Sequence, residues 1–224
     1  MKKAESAPII GYYGIWVALT YLSIVFAVLG MFHALRGNIG AAIILLLFCG
    51  LCDMFDGPVA RMTNRTKDQE SFGIQVDSLA DLVSFGVFPA VIGFSAGAYS
   101  LIPSNPGLSM ILSIAATAAY VLAAQIRLAY FNVEEAKLQN NQKQRTHYEG
   151  LPVTFAAILI PFVYAVCILA DFDFNIIYAP MLFVTAIAFI SRSIKIPKIR
   201  GWYLLIFLFI GIPLAFFLLW HVLN

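Results

Sequence analysis

Residues 53–81 read DMFDGPVARMTNRTKDQESFGIQVDSLAD, and four carboxylates in this stretch, Asp53, Asp56, Asp77 and Asp81, lie inside or at the ends of runs that are otherwise apolar. A carboxylate at the centre of a membrane helix costs about 2.5–3.5 kcal/mol on insertion scales. Four of them together require a compensating cation, and the simplest is a bound metal. Asp53 and Asp56 are three apart and Asp77 and Asp81 four apart, so on helices each pair projects from one face. Two such pairs facing each other make an all-oxygen site for one or two hard divalent ions.

The rest of the chain agrees with a membrane setting. Of 224 residues, 61% are hydrophobic and 12% charged, and the mean hydropathy is +0.86. A soluble domain typically carries about 25% charged residues, so a polytopic membrane protein is expected. A net charge of +2 is too small to argue for a nucleic-acid partner. Cys49, Cys52 and Cys167 fall in apolar surroundings. Cys49-x-x-Cys52 has no second Cys/His pair nearby, so these cysteines read as small buried hydrophobes.

Seven apolar stretches are long enough to span a hydrocarbon core about 30 Å thick. They fall near 13–35, 38–57, 76–100, 107–131, 152–171, 174–191 and 201–222. The start, MKKAESAPIIGYY, lacks an Ala-x-Ala-like cleavage site, so the first run reads as a retained signal anchor. Gly57-Pro58 is expected to break the second helix just after its aspartates, and RTKDQE with its neighbours reads as a polar loop. Ser104-Asn105-Pro106-Gly107 and Asp171–Asn175 read as turns, and 134–149 as a solvated connector. Every Lys and Arg except Arg36 falls on one side of this arrangement. The positive-inside rule then puts the N-terminus, the aspartate stretch and both large loops in the cytoplasm and the C-terminus outside. The whole chain, 1–224, reads as one membrane-embedded domain, with a core over about 13–191 and an accessory helix over 201–222.

The positions around the aspartates have physical uses of their own. Gly57 and Gly73 carry no side chain, so a phosphate or nucleotide can approach the backbone, and Ala60 leaves similar room. Arg61 offers a planar guanidinium suited to a phosphate. The competing reading makes Arg61 a buried ion-pair partner of Asp53 or Asp56, yet one arginine cannot balance four carboxylates. In the first span, Thr20, Tyr21, Ser23 and His33 read as helix-packing and interfacial residues.

Asp53, Asp56, Gly57, Ala60 and Arg61, followed by Gly73, Asp77 and Asp81, resemble the signature D-x-x-D-G-x-x-A-R…G-x-x-x-D-x-x-x-D of the CDP-alcohol phosphotransferase family. Eleven residues separate Arg61 from Gly73, more than that pattern commonly has. Farther on, Asp77-Ser-Leu-Ala-Asp81 with Ser84-Phe-Gly86-x-x-Pro89-Ala90, and Gln125–Val133, look like its phosphatidylserine synthase branch. So does Tyr148-x-Gly150-Leu-Pro152. Tyr130 departs from the branch, where many members have a second arginine.

The resemblance implies a six-transmembrane-helix core to which the seventh span is accessory, so the expected class is all-α integral membrane. It implies transfer of the phosphatidyl group of CDP-diacylglycerol to the hydroxyl of L-serine with release of CMP. Asp53, Asp56, Asp77 and Asp81 would be metal ligands for two Mg2+ or Mn2+ ions, and Asp81 the general base. Gly57, Ala60, Arg61 and Gly73 would face the nucleotide, and Arg127 and Asn132 the acceptor amino acid. Membrane lipids surround the protein, and a homodimer is common in the family. Glycerol 3-phosphate, inositol or inositol phosphate are alternative acceptors. A divalent-cation transporter or a liponucleotide binder without activity are the alternatives of another class.

Overall fold

The computed structural model describes residues 10–97, 102, 104–140, 147–197 and 207–223. Gly37, at φ 79°, lets the chain reverse between α1 (Ile15–Leu35) and α2 (Ile39–Arg61). Asn38 caps α2 by accepting from the Ala41 N–H at 3.2 Å. Next comes α3 (Lys67–Asp81), which runs through a π-helical segment, Leu82–Val87, into α4 (Phe88–Gly97). Then follow α5 (Pro106–Asn140), β1 (His147–Glu149), a 3-10 turn at Val153–Phe155, α6 (Ala156–Leu169) and α7 (Phe174–Ile190). After β2 (Lys195–Pro197), a second π segment, Phe207–Gly211, leads into α8 (Ile212–Leu223).

Four helical stretches, Ile15–Leu35, Ile39–Arg61, Lys67–Ser95 and Pro106–Lys137, are long and apolar enough to cross a membrane, and three shorter apolar helices accompany them. The outward faces are apolar as well: Val28, Leu112, Phe162, Val184 and Trp220 are all exposed. In water such an exterior would aggregate, whereas in lipid it is matched. The chain is an all-α integral membrane protein whose helices correspond one by one to the seven expected spans, except that residues 98–101 and 201–206 lie outside the described residues.

Small side chains set the helix packing. Thr20, Ser23, Ala27, Gly30 and Ala34 are buried along one face of α1. A Cβ added at Gly30 would stand 2.0 Å from Phe88 Cζ, so α4 seats its phenyl ring in the notch. Tyr120 of α5 and Tyr178 of α7 bury completely and donate their hydroxyls to the carbonyls of Phe85 and Pro89, at 2.7 and 2.9 Å. α8 packs on α2 and α6 through the buried Leu214 and Leu218, with Val222 against Gly40.

Four expectations are corrected. α2 does not stop at Gly57-Pro58 but continues to Arg61 with Pro58 inside it. A proline removes one donor, and in a membrane helix neighbouring groups make good the loss. The third helix begins at Lys67 and not near 76, so most of the supposed RTKDQE loop is helix. Thr66 and Gln69 form a reciprocal capping box there, at 2.9 and 3.3 Å. The fourth helix likewise runs through Glu134–Asn140, where a Lys137–Glu134 bridge of 2.8 Å helps to hold a polar turn. Finally, β1 and β2 pair antiparallel, His147 with Pro197 and Glu149 with Lys195, so the end of the expected solvated connector is tied to the segment after α7.

Candidate active site

The connection from α2 to α3 spans only residues 62–66, so carboxylates on the last turns of α2 and on α3 can reach one another, while α3 itself packs on α1 and the π segment. Thr63 closes the end of α2 by donating to the Ala60 carbonyl at 3.0 Å, and the capping box opens α3. On α2, Asp53, Asp56 and Gly57 share a face, and on α3 so do Gly73, Asp77 and Asp81. The two faces meet. One carboxylate oxygen each from Asp53, Asp56 and Asp77 lie within 4.8 Å of one another. Asp81, one turn beyond Asp77, brings its carboxyl within hydrogen-bond reach of Asp53, and Asp77 does the same with Asp56.

All four predicted aspartates therefore converge, with Asp81 at the edge of the trio. Two unit charges about 4 Å apart repel by about 4 kcal/mol at an effective dielectric of about 20. No lysine or arginine forms an ion pair with any of the four among the described residues, so the Arg61 ion-pair alternative fails. Thr20 of α1 donates its hydroxyl to Asp56 Oδ2 at 3.3 Å. A hard, oxygen-only donor set with this much uncompensated charge fits a divalent cation.

Thr20 is the contact of this cluster that reading the sequence missed. Its signal was present as the small and polar stripe Thr20, Ser23, Ala27, Gly30 and Ala34 in a helix otherwise made of large apolar side chains. Such a stripe faces protein and not lipid. Its neighbour Ser23 meets Ser84 at 3.0 Å, hydroxyl to hydroxyl, and Cys49 donates to the Ser23 carbonyl at 3.4 Å. Cys49, Cys52 and Cys167 are all buried free thiols.

The two glycines lie on the helix faces that carry the aspartates. A Cβ on Gly57 would stand 3.4 Å from Arg61 Nη1, and one on Gly73 would stand 3.1 Å from a Trp16 ring carbon. Ala60 is half-buried and Arg61, one turn beyond Gly57, is exposed.

The two residues assigned to an acceptor separate along α5. Asn132 accepts a hydrogen bond from the Ser78 hydroxyl at 3.0 Å, so α5 reaches α3 beside Asp77. Arg127, five residues earlier, is 6% exposed. Its Nη1 donates to the carbonyls of Glu149 at 2.8 Å and Phe189 at 3.2 Å, and its guanidinium lies 4.4 Å from the Phe131 ring centroid. It borders a cavity of about 160 Å³ whose lining includes Tyr130, Phe131, Glu149 and Arg192. Arg192 stands over Tyr130 at 5.5 Å and faces Glu149 at 3.8 Å. Gly150 turns the chain here with φ +73°, and a Cβ would meet the Phe189 carbonyl oxygen at 2.4 Å and Arg127 Nη1 at 2.7 Å.

A family model described as CDP-alcohol phosphatidyltransferase matches residues 17–190, from the first turn of α1 to the last of α7. A CDP-diacylglycerol--serine O-phosphatidyltransferase of Saccharomyces cerevisiae is 36% identical over 169 residues, covering 68% of this chain and 56% of the yeast protein. The protein of that name from Bacillus subtilis is 31% identical over 156 residues, 68% of this chain and 77% of its own length. An archaetidylserine synthase of Methanothermobacter thermautotrophicus is 33% identical over 176 residues, 77% of this chain and 65% of that protein. The chain spans little more than half the length of the yeast protein.

Proposed function

This chain belongs to the CDP-alcohol phosphatidyltransferase family, and from that premise we propose that it transfers the phosphatidyl group of CDP-diacylglycerol to the hydroxyl of L-serine, releasing CMP. The observation that carries this reading is the convergence of Asp53, Asp56 and Asp77, with Asp81 beside them. The choice of serine is supported by the relatives' names. Those acting on diacylglycerol and the one named for archaetidylserine differ in the lipid and share serine.

In the reaction, the serine hydroxyl oxygen forms a bond to the phosphorus that carries the diacylglycerol. The bond from that phosphorus to the bridging oxygen breaks, and its electron pair leaves on CMP. The hydroxyl proton passes to the Asp81 carboxylate, which acts as general base. Asp53, Asp56, Asp77 and Asp81 would hold Mg2+ or Mn2+, and such ions, when bound, offset diphosphate charge and stabilise the departing CMP phosphate. Thr20 holds Asp56 in its orientation, Gly57 and Gly73 let the nucleotide approach the backbone, and Arg61 grips a phosphate oxygen pair. Asn132, tied to Ser78, and Arg127 with its cavity form the acceptor side. The cavity offers cations and a carboxylate, a match for a zwitterion.

The α2–α3 turn, the end of α5 and the β1–β2 ladder group Arg61, Arg65, Lys67, Arg192 and Lys195 at one end of the helices, with Arg36 at the other. By the positive-inside rule we assign the charged end, and the aspartates with it, to the cytoplasm.

The test is CMP release by the purified protein in detergent, given CDP-diacylglycerol, Mg2+ or Mn2+, and one acceptor at a time. Release with serine and loss of it with EDTA are expected. Release with glycerol 3-phosphate, inositol or inositol phosphate in place of serine would overturn the acceptor while leaving the aspartate chemistry intact.

A further inference from the structure

Arg65 stands in the α2–α3 turn, four residues after Arg61 and directly before the Thr66 cap. Its guanidinium carbon lies 5.8 Å from the Trp16 ring centroid. Its Nη1 is 3.5 Å from the point where a Cβ on Gly73 would stand. Nε is shielded from solvent and has no hydrogen-bond partner. Asp68 and Glu70 are close in sequence and exposed, yet neither forms an ion pair with Arg65 among the described residues. A surface arginine would be solvated or would take such a partner. This one lies by a tryptophan with its Nε shielded from solvent and unpartnered.

An unsatisfied buried N–H is destabilising unless something outside the protein accepts from it. The position says what that acceptor is. The two glycines of the site each have a guanidinium against them, Arg61 Nη1 beside Gly57 and Arg65 Nη1 beside Gly73. Gly73 is one turn before Asp77, on the face that meets α2. We propose that Arg65 is a second guanidinium for the donor's nucleotide diphosphate, acting from the α3 side opposite Arg61, with Trp16 as the platform that sets its angle. A planar fork of parallel donors suits a pair of phosphate oxygens, and a shift of the side chain toward the ligand that uncovers Nε supplies it with its missing acceptor. The proposal rests on the reading of the donor as a cytidine diphosphate lipid.

Phosphate oxygens could also come from an anionic lipid headgroup at the membrane surface, and the experiment separates the two sources. Binding of CDP, CMP and cytidine to the full-length protein is measured in detergent with Mg2+ present. Arg65→Ala is expected to weaken CDP binding about tenfold or more, as for a lost hydrogen bond to a charged group. CMP should weaken less and cytidine not at all. Arg65→Lys, which keeps the charge and the stem over Trp16 but not the fork, should recover part of the loss. It also carries the test should Arg65→Ala fail to fold. Arg61→Ala is run alongside. If Arg61→Ala loses CDP while both Arg65 variants keep wild-type affinity, the assignment of Arg65 is overturned and the donor reading survives. Wild-type protein that binds no CDP overturns both. Unchanged CDP affinity, with stimulation by phosphatidylglycerol vesicles lost in the Arg65 variants, assigns the residue to a headgroup and also overturns the proposal.

Discussion

The Tyr120 hydroxyl donates to the Phe85 carbonyl at 2.7 Å. Phe85 lies in the π segment that follows Asp81, where Phe88 N–H reaches back five residues to the Val83 carbonyl. That wider turn displaces carbonyls from the regular helical ladder, and π segments often accompany functional sites. Tyr120, fully buried on α5, fixes one of them from outside the helix. Tyr120→Phe should therefore destabilise the protein by about 1–3 kcal/mol, the cost of a buried acceptor left without its donor. A thermal unfolding midpoint equal to wild type would show that the carbonyl finds another partner.

Thr20→Val keeps the shape of the side chain and removes the donor to Asp56. If Asp56 is a metal ligand, the concentration of Mg2+ or Mn2+ giving half-maximal CMP release should rise about tenfold or more, as for other outer-shell partners of ligands. The unfolding midpoint should scarcely move, and Thr20→Ser should restore the metal response. An unshifted metal titration for Thr20→Val would remove Thr20 from this role.

Asp81→Asn should lower kcat by about 10²–10⁴-fold, the range for a general base. The stability change should run the other way. In EDTA the variant carries one carboxylate fewer in a cluster with no cation of its own, so it should unfold at or above the wild-type temperature. Full turnover in Asp81→Asn would assign the proton to another group, and a lower midpoint in EDTA would contradict the repulsion argument.

Arg127→Gln removes the Nη1 donor from the carbonyls of Glu149 and Phe189, so stability should fall by about 1–3 kcal/mol for each carbonyl left unpaired. If Arg127 also serves the acceptor, KM for serine should rise while KM for CDP-diacylglycerol stays near wild type. Equal shifts in both KM values would reduce Arg127 to a brace between α5, β1 and α7.

The aspartates were legible because each is expensive where it sits, and expense in an apolar run is visible without knowing the fold. Thr20 was not, because a hydroxyl in a membrane helix satisfies itself on its own backbone and costs almost nothing. Its partner is 36 residues away. Lys67–Gln75 looked like loop because hydropathy registers only helices that enter lipid. The Thr66-x-x-Gln69 box was the local signal that outweighed it. Pro58 misled for a related reason: the rule that proline ends helices is drawn mainly from water-soluble proteins. The ladder between His147–Glu149 and Lys195–Pro197 joins segments almost fifty residues apart. No local pattern in three-residue strands announces such a pairing.

Residues 36–38 allow α1 and α2 almost no separation. This has a consequence for how the chain is made. The two helices are bound to leave the insertion machinery as one hairpin, with Thr20 emerging ahead of the carboxylate it will meet. Asp53 and Asp56 then cross into lipid already facing α1. A substitution that widened the small stripe of α1 would do its harm during synthesis, by exposing those aspartates to acyl chains before α3 arrives. Its signature would be lost membrane integration and degradation, in place of an assembled protein with impaired turnover.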